Sequence, residues 1–477
     1  MENVPVHSIA PPCWLCFSLI AHRGQLFLII LCMPDAEHES TFRLMRGTAM
    51  GIFRYALAEA SIAKAFARQV RCERGALRIC EDLYDLQSYS SVRVISIGKA
   101  GHTMVEALAE LVGTSALEGI LASSLEPASQ VHGFRYFRGG HPMPNGESIQ
   151  AARAMLKLLQ AQTAASLVIY LLSGGGSSIV EKPIDDEIPL DDLIASYRAL
   201  VHSGAPIAEI NAIRKHLSAV KGGRLAQAAY PAQQVSLLVS DVPDTTPDAL
   251  ASGPTMPDST TAEDCYRIAQ KYGLLHEGQF PPSTRESFER HALDETPKSD
   301  DQAFYRSRWW TVLSNGTVVA EAKAAAERAG FVVHVDNTCD DWDYQRAAGY
   351  LLKRVRELGK ESARACLISG GEVTVKVKNG GVGGRNQQFA LACARNIAGE
   401  NITVLSAGTD GIDGNSPAAG AVVDGSTLQR AQSRGLDPAV ALERFDVDPF
   451  FSALGDAIET GPTGNNLRDL RILLVYR

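Results

Sequence analysis

Three consecutive glycines followed by two hydroxyls, Ser173-Gly174-Gly175-Gly176-Ser177-Ser178, stand directly after an apolar run. Backbone N–H groups in such a loop approach an anion closely, with the two serine hydroxyls as further donors. Phosphate or carboxylate is the natural guest, and a tight structural turn is the alternative. Lys99, in Gly98-Lys99-Ala100-Gly101, is a point charge on a flexible stem able to reach such a guest, or else a solvated surface lysine. After Asn211, the residues Arg214, Lys215, His216, Lys221 and Arg224 concentrate potential cations in an otherwise acidic chain. That local reversal of sign suggests an anion site or a salt-bridged seam, with His216 reading as a structural residue. Asp241, in Ser240-Asp-Val-Pro243, and Asp410, in Asp410-Gly-Ile-Asp413, offer carboxylates. Carboxylates facing a polyphosphate are repelled unless a hard cation bridges them, so Mg2+ at Asp241 and Asp410 follows if the guest is a nucleotide. The start at Asp413-Gly-Asn-Ser lacks the EF-hand pattern, which discounts calcium. Arg385 and Asn386 end a glycine run and open a helix, where a guanidinium would grip a carboxylate or steady a moving phosphoryl group.

Six short runs rich in β-branched and aliphatic residues lead into these positions. They are 92–97 before Gly98, 167–172 before Ser173, 235–239 before Ser240, 311–313 before Ser314-Asn315, 365–368 before Ser369-Gly-Gly-Glu372, and 402–405 before Ser406 to Asp410. Each reads as a strand followed by a small-residue turn, and several precede an amphipathic stretch, the repeating unit of an α/β fold. In open α/β sheets ligands bind beyond the carboxyl ends of the strands, which adds Asn315 and Glu372 to the candidate binding residues. Residues 43–83 carry apolar residues at helical spacing, for example Ile52, Tyr55, Ala56, Ala60 and Ala63.

The chain has 477 residues, 45% hydrophobic and 21% charged, a soluble globular balance that excludes disorder, collagen and coiled coil. Two α/β lobes are expected at this length. A formal charge of −8 offers no field for nucleic acid, so no nucleic-acid partner is expected. Nine scattered cysteines suit a reduced, cytoplasmic protein. The apolar stretch between Cys13 and Met33 is interrupted at His22-Arg23-Gly24 and too short to span a bilayer, so no membrane partner is expected. Cys13-Trp-Leu-Cys16 has metal spacing but no second pair. Residues 1–32 therefore read as an unstructured leader or a mis-assigned start, with Met33 or Met45 beginning the working protein. The expected division is 33–285 for a Rossmann-like lobe, 286–305 for a linker and 306–477 for a smaller α/β lobe.

Nine motifs in order, among them GKAG at 98–101, GGHPMPNGES at 139–148, SGGGSS at 173–178 and NAIRKHLSAVKGGRLA at 211–226, resemble the glycerate 2-kinases of the MOFRL family. The others are SDVP with ASGPTMPDSTT within 240–261, SGGEVTV at 369–375, GGRNQQ at 383–388, TDGIDG at 409–414 and GPTGNN at 461–466. The likeness runs from about residue 45 to the end. It implies a two-lobed fold with the active site in the inter-lobe cleft and ATP- and magnesium-dependent phosphorylation of D-glycerate to 2-phosphoglycerate. It also implies catalytic roles for Lys99 and Arg385 and a phosphate-binding turn at 173–178. The chain departs from the family pattern at Asn415-Ser-Pro417 and Gln388, each losing a carboxylate, and at Asp244, which gains one.

Phosphoryl transfer asks mainly for positioning and charge neutralisation, which suits a site rich in glycines and cations. Direct in-line attack by the C2 hydroxyl is expected. Arg385 would hold the glycerate carboxylate or the moving phosphoryl, Lys99 would offset developing charge, and Asp241 or Asp410 would hold magnesium or accept the hydroxyl proton. The rivals are an NAD(P)H-dependent hydroxypyruvate reductase, opposed by the missing G-x-G-x-x-G, and a non-catalytic metabolite-binding protein on the same scaffold. A homodimer is compatible with this reading, though no residue pattern specifies its interface. All of it requires strand ends from both lobes to converge on one positively lined cleft, sized for a triphosphate and a three-carbon acid.

Overall fold

The computed structural model describes residues 17–22, 25–30, 36–113, 117–127, 129–377 and 380–477, with side chains from residue 39 onward. Ser166–Ser173 is buried along its whole length, an unbroken apolar strand of the kind found only where both faces of a parallel sheet are covered. Around it lie β1 (Ser91–Ile97), β2 (Glu118–Ser123), β3 (Phe134–Arg138), β4 (Ser166–Ser173), β5 (Gln233–Val239) and β6 (Ser307–Leu313). They pair in the order β3-β2-β1-β4-β5-β6, every neighbour parallel. This is the Rossmann order, and its direction reverses between β1 and β4.

The second sheet comprises β7 (Val332–Val335), β8 (Arg364–Gly370), β9 (Ile402–Gly408), β10 (Gly420–Asp424), β11 (Ala457–Ile458) and β12 (Asp469–Tyr476). Its order is β7-β8-β12-β9-β10-β11, and only β7 and β8 run parallel. The last strand of the chain thus sits in the middle of the sheet, antiparallel to both neighbours.

Three sequence expectations give way here. The strand at 307–313, assigned to the second lobe, pairs with β5 and closes the first sheet, so the chain passes to the second sheet after Leu313. Residues 286–305 are packed rather than a loose linker: Pro282–Glu289 is helical, and Thr296, Ala303 and Phe304 are buried. The helical spacing of 43–83 stops at Gln69, where a three-stranded meander, Val70–Glu73, Ala76–Ile79 and Asp82–Asp85, takes over. Trp310 Nε1 donates to Asp82 (2.9 Å), tying that meander to β6.

The helix Ala36–Glu59 lies against the second sheet and the helix Asn315–Arg328, far in sequence from both. Phe42, Met45, Ala49, Phe53 and Ala56 on this helix share one buried cluster with Val312, Val318, Leu405 and Ile472. Arg46 anchors it through ion pairs to Asp424 (3.3 Å) and Asp456 (3.2 Å). One apolar core therefore runs from the first sheet into the second and fixes their strand ends relative to each other. Within the expected leader, Phe17–His22 and Gln25–Ile30 pair antiparallel in a two-stranded sheet separate from the two six-stranded sheets, which replaces the unstructured reading for those twelve residues. Cys13 and Cys16 lie outside the described residues.

Candidate active site between the two sheets

At the point where strand order reverses, the ends of β1 and β4 are laced together. Lys99 N–H donates to Gly174 O (2.9 Å) and Ala100 N–H to Ser173 Oγ (3.1 Å). Gly98 has φ +124°, and a Cβ there would lie 2.3 Å from Ser173 Oγ, so glycine is required. Gly174 has no room for a side chain either: its Cβ would stand 2.0 Å from Asp241 Oδ2. The loop is supported from below by Ala251 and Ser252, two non-glycine residues held at φ 51° and 60°, with Ser252 Oγ bonded to Ser177 Oγ (2.8 Å). Left-handed backbone at such residues costs energy and persists where the surroundings enforce it.

Lys99, Ser173, Gly174 and Asp241 from this lobe share a cavity of about 200 Å³ with Asp410, Asn465 and Asn466 from the other. The second-lobe wall is two loops held together, with Thr463 N–H donating to Asp410 O (3.1 Å) and Asn465 Nδ2 reaching back to Ala60 O (2.9 Å). Burial pushes the Asp241 carboxyl above its usual range, with Lys99 and Arg468 pulling it back. Burial likewise raises Asp410, aided by the negative charge of Asp469.

Arg385 stands behind this wall at the start of the helix Arg385–Ala394. Its Nε and Nη2 grip Asp469 (2.6 and 3.0 Å) and its Nη2 also reaches Glu372 (2.6 Å), leaving Nη1 without a protein partner among the described residues. Glu372 is raised by burial and by Asp469, and lowered by Arg385 and Arg468. Arg468, itself at φ 68°, is bidentate to Asp340 (2.8 and 2.7 Å). Carboxylates therefore outnumber cations around the cleft, and the expected positive lining is replaced by paired charges with a net negative excess. The enclosed volume of about 200 Å³ lies below the roughly 300–1,000 Å³ usual for small-molecule sites.

Other expected binding residues lie apart from the cavity. Lys215 is 5% exposed and ion-paired with Asp248 (3.0 Å) and Asp258 (3.2 Å). Lys221, 1% exposed, pairs with the buried Glu181, which also accepts from Tyr197 and Ser218 (2.6 Å each). Arg214 lies over the Tyr197 ring at 4.9 Å and Asn211 is half-buried one turn earlier. Asn315 is a strut, its amide donating to Leu467 O and Asp469 O and accepting from Gly371 N–H. Asn386 is buried between Ser406 and Asp413. Asp413 caps the Arg385 helix through the N–H groups of Asn386 and Gln387, and burial raises its carboxyl to about 7. Gln388 is fully buried with neither amide atom partnered, so the carboxylate missing there is not missing from the cleft wall. Two contributors escaped the residue-by-residue reading. Arg471, fully buried in β12, donates to the carbonyls of Gly370 and Gly371 and holds the tip before Glu372. His141, inside the GGHPMPNGES segment, sits beside Gly175 with Nδ1 3.1 Å from Ser178 Oγ.

Residues 48–289 match a family model described as a domain of unknown function, DUF4147, and residues 365–469 match the MOFRL family. The D-glycerate 2-kinase of Thermotoga maritima is 37% identical over 391 residues, covering 80% of this chain and 90% of its own. The chain belongs to the MOFRL glycerate kinase family. A crystal structure of glycerate kinase from Thermotoga maritima superposes with a TM-score of 0.79 at 33% identity, over 91% of this chain and all of that one. The family also includes an Agrobacterium vitis relative that bears a hydroxypyruvate reductase name, 36% identical over 80% of this chain and 86% of its own.

Proposed function

We propose that this enzyme transfers the γ-phosphoryl group of ATP to the C2 hydroxyl of D-glycerate, in line and without a phosphoenzyme. The observation that carries the reading is the single cavity shared by Lys99 and Asp241 at the switch point of the first sheet and Asp410 from the second. Lys99 is exposed at that mouth, free to meet charge developing on the moving phosphoryl. Arg385 is locked in place by Asp469 and Glu372 behind the cavity wall, and in this proposal its Nη1 serves the same charge or the glycerate carboxylate. The tip Gly174-Gly175-Gly176 lets a phosphate approach the backbone because no side chain fits there.

Among the described residues no group of three or more His, Cys, Asp or Glu is arranged to hold a metal. Mg2+, however, characteristically takes one or two protein carboxylates and completes its shell with phosphate oxygens and water. Asp241 and Asp410, two half-buried carboxyls facing one cavity with a net negative surround, fit that donor set and would hold it. When bound, the ion neutralises the β- and γ-phosphate oxygens. The small cavity supports a lobe opening before both substrates enter.

No nucleotide fingerprint supports the reductase alternative, despite the Rossmann strand order. A two-armed assay tests the choice. Glycerate with ATP and Mg2+ is expected to release ADP, while hydroxypyruvate with NADH or NADPH is expected to leave absorbance at 340 nm unchanged. The converse pattern overturns the reading, and silence in both arms favours a binding protein. Among the described residues no helix is long and apolar enough to cross a membrane. A cytoplasmic location and a homodimer, expected from the sequence, belong to the same proposal.

A further inference from the structure

His141 lies at the same strand tips as Lys99 but on the other side of Gly175. A Cβ at Gly175 would touch Lys99 Cε and Cγ at 3.3 Å and His141 Nδ1 at 3.4 Å, so the lysine stem and the imidazole flank one point of the loop. The imidazole is exposed to solvent. Ser178 Oγ lies within hydrogen-bond distance of both His141 Nδ1 (3.1 Å) and Gly175 O (3.3 Å). A serine hydroxyl has one proton, and in the arrangement taken here that proton goes to Gly175 O and Oγ accepts from Nδ1–H. The neutral ring then carries its lone pair on Nε2.

A bare ring nitrogen repels phosphate oxygens, which are acceptors, and seeks a hydroxyl proton instead. Resting on the phosphotransfer reading above, we infer that His141 Nε2 is the proton acceptor for the substrate hydroxyl. In the step, the hydroxyl O–H bond breaks and its proton passes to Nε2. The oxygen bonds to the γ-phosphorus as the bond from that phosphorus to the β,γ-bridging oxygen breaks, and ADP leaves with the electron pair. His141 becomes imidazolium and returns its proton to solvent, to which it is open. Desolvation and the Lys99 charge hold the imidazole below its ordinary value, keeping it unprotonated at neutral pH. Lys99 is the charged group acting on it, and its location beside the ring places proton acceptance next to charge neutralisation.

The test compares wild type with His141→Gln and His141→Asn in ATP-dependent phosphorylation of glycerate across pH 5–9, alongside thermal melting. Wild type is expected to lose kcat/KM on the acid side with an apparent pKa below that of free histidine. The variants are expected to melt like wild type, keep both KM values within about threefold, lose kcat about a hundredfold, and lack that acid limb. A variant with kcat within threefold of wild type, or one retaining the limb, overturns the inference and leaves a carboxylate such as Asp241 as acceptor. No turnover by wild type overturns the phosphotransfer reading itself. Imidazole titration by NMR gives a readout apart from turnover: Nδ1–H in the neutral ring supports the assignment, and Nε2–H contradicts it.

Discussion

Replacing Lys99 by alanine removes a charge that the fold does not use. The side chain is exposed and makes no ion pair among the described residues, so the loss of stability should stay within about 0.5 kcal/mol. Its effect on transfer is different. A unit charge about 4 Å from a phosphoryl oxygen, at an effective dielectric near 20, interacts by roughly 4 kcal/mol. Part of that is already present with bound ATP, and the part realised only in the transition state should resemble the loss of an oxyanion donor, about 3 kcal/mol or somewhat over a hundredfold in kcat. The same substitution acts on Asp241. Lys99 favours its ionised form, so removing the lysine raises a carboxyl that burial has already raised, and the acid limb assigned to His141, which the same charge lowers, also moves to higher pH. Initial rates at saturating ATP and glycerate, with melting curves on the same samples, check both effects. A Lys99→Ala enzyme with unchanged melting and kcat within threefold of wild type would refute the charge-neutralising role.

Gly174→Ala places a methyl where Asp241 Oδ2 now lies, 2.0 Å away, and by shifting that carboxylate should lower kcat about a hundredfold; full activity would show that Asp241 is not held for function. Glu181→Gln leaves the Lys221 charge buried without its partner and should cost about 3–5 kcal/mol in urea unfolding, whereas a change under 1 kcal/mol would mean the pair contributes little. A chain lacking residues 1–35 should melt and turn over like the full chain. One beginning at Met45 also loses the buried Phe42 and should lose about 2 kcal/mol, and equal stability of the two would contradict the packing of that helix.

The strand tips were legible because local signals define them: all six runs singled out in the sequence are strands, each running up to or into the small-residue turn that follows it. Pairing was not legible. Residues 307–313 carry nothing that says which sheet they join, since partner choice is decided by side chains distant in the chain. Strand β12 was overlooked, although Arg471-Ile-Leu-Leu-Val475 is apolar, because it ends the chain without a turn motif and its one arginine is buried on backbone carbonyls. The cations at 215 and 221 misled for a related reason. Their partners, Asp258 and Glu181, lie about forty residues away, so counting charge along a segment shows an excess that folding cancels. The same cancellation reversed the sign expected for the cleft, where Asp469 and Glu372 answer Arg385. Lys99, Asp241 and Asp410 did meet, as their positions on strand ends required.

The most direct measurement follows the phosphorus itself. With D-glycerate, ATP and Mg2+, proton-coupled phosphorus NMR should show a new phosphomonoester signal split into a doublet by the single hydrogen on C2. A triplet from the two C3 hydrogens, or an unchanged ATP spectrum while hydroxypyruvate consumes NADH, would contradict the account.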